Sequence, residues 1–281
     1  PIDCKIMAAE FAFQGFIAAV NRITVDSTGD PRNRQTYTLT AGEEVINLSS
    51  KGLGAADVNL LAVWLQRPEV IATVTSCCLL NNPLRDGVNV IIKVFEETPR
   101  LRTLCGFEEG TQSIDWSDSE KGVADATLLA AELRAGRAIA AVKRVVLSNN
   151  FLFGSKDRHS YDRTKVHHVD GNQTGWAALC DSFKGSSLEE LVLVDIGMGV
   201  KGFTTLADAI RAIAAVKVLT MSQNKIGGLV TGTPPHEKFW EELTPVSYTN
   251  PTPPTNDSVE TLGVTDSITK NTRPATRTLD A

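Results

Sequence analysis

The chain has 281 residues, 42% of them apolar and 22% charged, with a net charge of −5. That length allows one long domain or two ordinary ones, each with a sizeable core. The acidic balance argues against nucleic acid as the main partner, which needs a dense basic face, and no run reaches the ~20 apolar residues of a membrane-spanning helix.

The five cysteines, Cys4, Cys77, Cys78, Cys105 and Cys180, are odd in number and include no Cys-x-x-Cys pair. This is neither a disulfide framework nor a zinc ligand set, and it points to a reduced intracellular compartment. The compartment is cytoplasmic, or a plastid or mitochondrion if Pro1 is a processed end. Asn172 and Asn256 head glycosylation-type triplets, a pattern that arises often by chance.

In chain order, residues 1–25 read as a helix, with Ile6, Phe13, Ile17 and Val20 among small residues. With the polar loop 26–35 they form an N-terminal helical cap and loop over residues 1–42. From residue 43 a period of strand, turn and helix begins. The first strand is Val45–Ser49, followed by a helix over Ala55–Gln66 with Val58, Leu61, Ala62 and Leu65 on one face. A second unit starts near Val70, and its helix runs through Val88, Ile91, Ile92 and Phe95, with Pro83 and Pro99 outside it. The third strand is Ser113–Ser117, and its helix ends at Gly136. The fourth strand is Arg144–Ser148. The fifth is Leu191–Val194 with a helix over Phe203–Ala214, and the sixth is Val218–Ser222. Trp64, Trp116 and Trp176 fall at core positions, and Cys77 and Cys78 fit as small core fillers.

Two gaps exceed the usual spacing. One holds "RLRTLCGFEEGTQ" before the third strand. The other is the polar insertion Gly154–Gly171, whose cations include Arg158 and Arg163, candidate partner contacts. Residues 229–281 hold seven of the twelve prolines and twelve threonines, a composition that cannot bury enough apolar surface to fold alone. They read as an extended arm laid across neighbouring chains or along the chain's own solenoid, with Trp240 and Tyr248 as anchors.

"VKRVVLSNNFLFG", "LEELVLVDIGMG" and "VKVLTMSQNKIGG" share one skeleton: apolar-x-x-apolar-x-apolar, then a turn with Asn or Gly. Over residues 43–228 the chain resembles leucine-rich repeats of the ribonuclease-inhibitor-like type. Unit two departs at Thr75, where an apolar residue is expected, and unit three lacks the turn Asn. The resemblance implies an α/β solenoid, a horseshoe with parallel strands on the concave face and helices outside, and protein binding as the usual role. Outward strand positions would then form a binding strip: Asn47, Ser49, Asp115, Ser117, Arg144, Ser148, Glu190, Thr220 and Ser222.

Catalytic chemistry finds little footing. Gly197-Met-Gly199-Val-Lys-Gly202 matches a dinucleotide-binding turn between a strand and a helix. No Asp or Glu follows strand Val218–Ser222 to hold a ribose, and the glycines sit where each unit turns. His167 and His168 lie near Asp157, Asp162 and Asp170 in a polar loop, which reads as solvated surface and not as a metal site. No nucleophile elbow or phosphate loop is present. The expectation is a protein with no cofactor and no metal. It is a non-catalytic interaction module, an accessory or scaffold subunit in a stable complex with other protein chains. The alternatives are a regulator of a soluble enzyme, of inhibitor or GTPase-activating type, and a nucleotide-binding enzyme using the Gly197–Gly202 loop.

Overall fold

The computed structural model describes residues 20–153, 169–213, 215–224 and 226. The first described element corrects the helical reading of residues 1–25 at its end. Arg22–Asp26 is a strand, β1, paired antiparallel with β2 (Thr36–Thr40) in the register Ile23↔Leu39 and Val25↔Tyr37. Both segments alternate β-branched Thr with apolar residues, a period of two that suits a half-buried strand. The remainder of the expected N-terminal helix lies outside the described residues. Tyr37 and Leu39 are buried, and Asp57 ties the hairpin to the first helix. Its carboxylate accepts from the Thr28 N–H (2.8 Å), the Thr28 hydroxyl (2.6 Å) and the Tyr37 hydroxyl (3.1 Å), besides capping Gly54 N–H at 2.7 Å.

Six short strands follow, alternating with helices: β3 (Val45–Asn47), α1 (Ala55–Leu65), α2 (Pro68–Ile71), β4 (Ser76–Cys78), α3 (Gly87–Glu97), β5 (Ser113–Asp115), α4 (Val123–Ala135), β6 (Arg144–Val146), α5 (Thr174–Phe183), β7 (Glu190–Val192), α6 (Val200–Ile210) and β8 (Val218–Thr220). The fold is therefore mixed α/β. β3 and β4 form a parallel pair, and β5-β6-β7-β8 form a four-stranded parallel sheet in sequence order. The second unit departs from expectation. Val70 is buried within the short helix α2, which starts at Pro68 in the first helical position, and the strand begins only at Ser76. Helix α5 ends a few residues before the phrase that begins at Leu188.

The units repeat at the level of single residues. The middle residue of each strand from β3 to β7, Ile46, Cys77, Ile114, Val145 and Leu191, is buried at 0–2% exposure. Two residues further on, Leu48, Leu79, Trp116, Leu147 and Leu193 are also buried. Two residues beyond those, Ser50, Asn81, Asp118, Asn149, Asp195 and Gln223 all take positive φ, between 47° and 62°. A left-handed residue turns the chain out of the strand, and Asn and Asp accept that conformation at lower cost than most. The parallel ladder runs past the formal strands. Trp116, Leu147 and Leu193 donate to Val146, Val192 and Thr220 at 2.7–2.9 Å.

Buried polar side chains link each unit to the next. Asn82 accepts from Leu53 N–H (2.9 Å) and donates to Leu48 and Leu79 carbonyls. Asn150 accepts from Lys121 N–H (2.8 Å) and donates to Trp116, Leu147 and Ser148 carbonyls at 2.6–3.1 Å. Asn224 repeats the pattern with Ile196 N–H and the Leu193 and Met221 carbonyls. Where the turn Asn is missing, carboxylates take over. Asp125 caps α4 at Gly122 N–H (2.8 Å) and accepts Asn81 N–H of the preceding unit (2.8 Å). Asp170 reaches forward to α6. Each bond satisfies a backbone group that burial would otherwise leave unpaired.

The long gap before the third strand is a break in the ladder. Thr103 bridges to Ser76, and Cys77 and Leu79 donate to Thr103 and Leu104 carbonyls, so β4 pairs with this stretch and not with β5. The chain then loops through Gly106 and Gly110, both at φ near 80°, before entering β5. The buried Glu132 on α4 anchors the loop's start. Its Oε1 accepts from Leu104 N–H (2.5 Å), Cys105 N–H (2.6 Å) and the Thr103 hydroxyl (2.8 Å). Arg137 closes α3 in a similar way, donating one guanidinium nitrogen to the Phe95, Thr98 and Leu101 carbonyls at 2.6–2.9 Å.

Helices of successive units pack together: α1 on α3, α3 on α4, α4 on α5, α5 on α6. The α4–α5 approach is close enough to require glycine. A methyl group at Gly175 would collide with the Val123 carbonyl and lie 3.1–3.2 Å from Thr127 and Ala126. Gly175→Ala is expected to lower stability by about 2 kcal/mol through this overpacking, read as a shift in urea midpoint at unchanged slope. Trp64, Trp116 and Trp176 are all buried, as their spacing predicts.

Candidate functional site

The four-stranded sheet has one face on the helices, where Ile114, Val145 and Leu191 are buried. The alternate residues point the other way. In register across the sheet they form two rows, Ser113–Arg144–Glu190–Val218 and Asp115–Val146–Val192–Thr220. This face brings together six of the nine expected strip residues around the buried Val146. Asp115 and Ser222 are exposed, and Ser117, Arg144, Glu190 and Thr220 are half-buried. Asn47 and Ser49 lie on β3 and its extension, in the separate two-stranded sheet. Ser148 is a correction. It is 8% exposed, and its Oγ accepts from Val194 N–H at 3.3 Å, so it serves the ladder and offers no accessible contact. Arg158, Arg163, Trp240 and Tyr248 lie outside the described residues, as do His167 and His168.

The side chains on this face are held in place by their neighbours. Asp115 Oδ1 accepts from the Ser117 hydroxyl (2.6 Å) and N–H (2.9 Å), and Asn47 Oδ1 does the same for Ser49 (2.8 and 3.1 Å). The Ser117 hydrogen bonds, with the nearby Arg144 charge adding less, hold the Asp115 carboxyl below the usual aspartate range. Arg144 Nε meets Glu190 Oε2 at 3.0 Å across β6 and β7.

One row was missed by the sequence reading. Immediately before the strands stand Lys143, Glu189 and Lys217. Glu189 bridges the two lysines at 3.0 and 2.7 Å, and they hold its carboxyl down to about 2. The signal was present as alternating charge at one fixed unit position. With charges of both signs spaced at the strand separation of about 4.8 Å, the face can pair with a patterned protein surface. Two exposed valines, Val45 (62%) and Val218 (49%), add apolar contact area at the outer strands of the two sheets.

The Gly197–Gly202 turn has an occupant of its own. Asp170 Oδ1 accepts from Gly199 N–H (2.9 Å), Gly202 N–H (3.0 Å) and Gln173 Nε2 (3.1 Å), and Oδ2 accepts from Lys201 N–H (2.8 Å). The carboxylate thus sits at the α6 N-terminus, where a phosphate would bind in a nucleotide site. A Cβ at Gly199 would lie 2.5 Å from Asp170, and one at Gly202 would lie 2.7 Å from the Phe153 ring. Both glycines are accounted for by packing.

Three of the described thiols, Cys77, Cys105 and Cys180, are buried. Burial raises Cys77 and Cys105 well above the usual thiol range and pushes Cys180 up to about 12. Among the described residues no group of three His, Cys, Asp or Glu side chains is placed to hold a metal ion, and no described helix is long and apolar enough to cross a membrane. A cavity of about 1220 Å³ opens along the strand-to-helix turns, lined by residues that include Asn81, Arg85, Asp86, Glu120 and Asp125. Comparison of the chain with protein-family models and with curated proteins finds no match.

Proposed function

We propose that the chain is a leucine-rich-repeat-like α/β solenoid that acts as a non-catalytic interaction module, an accessory or scaffold subunit of a multi-protein assembly. The observation that carries this reading is the open face of β5–β8, where Asp115, Arg144, Glu190 and Thr220 stand in register on hydrogen-bonded backbone. Side chains fixed before binding lose little conformational freedom on association, which suits a permanent contact surface. Protein is the favoured partner class because the face carries both signs of charge, whereas nucleic acid favours a continuous basic stripe. The arm over residues 229–281 would extend the contact, and an intracellular compartment suits the free thiols at Cys77, Cys78, Cys105 and Cys180.

The test is charge reversal on the face. Asp115→Lys and Arg144→Glu are expected to weaken co-purification of the partner chain from the native assembly at least about tenfold, in line with the several kcal/mol of like-charge juxtaposition. Thermal stability should fall by no more than about 2 kcal/mol, since Asp115 is exposed and Arg144 exchanges one partly exposed ion pair with Glu190 for a like-charge pair. Undiminished co-purification from both variants would refute the face as the contact.

The nucleotide-enzyme alternative has a separate test. With Asp170 seated on the α6 amides, NAD and ATP are expected to leave the melting temperature unchanged, while a bound ligand at one hundred times its dissociation constant would add about 2.7 kcal/mol. A saturable rise with either nucleotide would restore that alternative.

A further inference from the structure

We draw no further inference here: the strongest candidate, the outer edge of β8 with the half-buried Leu219, Met221 and Ile226 behind it, is an apolar sheet end for which nothing in the structure shows what covers it.

Discussion

Asn150→Ala is expected to destabilise the protein by about 3–5 kcal/mol, one of the two largest single-residue effects the fold predicts. The side chain is fully buried and serves four backbone groups: the Lys121 N–H and the Trp116, Leu147 and Ser148 carbonyls. Alanine removes these four bonds at once; the Ser148 carbonyl still accepts from Asp118 N–H at 3.1 Å, so the cost falls on the Lys121 N–H and the Trp116 and Leu147 carbonyls. An unsatisfied buried group costs about 1–3 kcal/mol, and relaxation of the turn recovers part of the total. For a domain of this size the loss corresponds to a fall of about 10 °C in melting temperature. Asn224→Ala supplies the control. It removes the same type of bonds from a half-buried position in the last described unit, where water can replace them, so its expected cost is about 1 kcal/mol. Equal losses at the two sites, in paired urea titrations, would contradict the linking role assigned to Asn150.

Glu132→Ala is the second, at about 3 kcal/mol or more. It strips the acceptor from Thr103, Leu104 and Cys105, the residues that launch the loop between the two parallel sheets. Glu132→Gln keeps an oxygen for those donors and removes the charge, and the comparison separates bonding from electrostatics. Burial raises the Glu132 carboxyl above the usual glutamate range, against the opposing pull of the three donors. The folded state therefore holds this proton more tightly than the unfolded chain. The resulting stabilisation is complete below the usual glutamate range and is lost as pH rises through the raised folded-state value. Relative to Glu132→Gln, the parent protein should lose ground as pH rises above the usual glutamate range. A parent-minus-Gln difference that is flat with pH, or that moves the other way, contradicts a buried carboxyl with a raised value.

How much of this was legible depends on the range of the interaction. Apolar spacing within one unit is local, so the strand positions at 45, 113, 144, 191 and 218 and the helices around Val58, Ile91 and Leu128 were readable from periodicity. The hairpin β1–β2 was not, because the small apolar residues before Arg22 carry a helical period into the start of β1 and mask the alternation of Ile23, Thr24 and Val25. Within α5, Gly175 lowers helix propensity but is demanded by the close approach to α4, a contact that only the folded chain reveals. The second strand was displaced because Val70 looks like a strand residue and is instead the buried face of a single helical turn.

The candidate face was legible as a set of outward positions but not in its chemistry. Asp115 with Ser117 is a pair two residues apart and could be inferred. Arg144 with Glu190 spans 46 residues and becomes a neighbour only through sheet register. The same holds for Asp170, whose partners at Gly199, Lys201 and Gly202 lie 29–32 residues away. Ser148 was misjudged because the outward side of an inner strand can still be covered by its neighbours. The glycines at 197–202 were read as the strand-to-helix turn of a unit, and only the folded chain reveals that a carboxylate from the adjacent unit sits on the helix amides there.

The most direct test of the proposed role is site-specific photo-cross-linking in the native assembly. A photoreactive residue is placed at Asp115 or Thr220 on the open strand face, and at Lys93 on the exposed side of α3 as the reference. A contact on the strand face predicts that the two strand positions cross-link to one and the same partner chain while position 93 does not. Cross-links from position 93 with none from 115 or 220 would place the contact on the helices and contradict it.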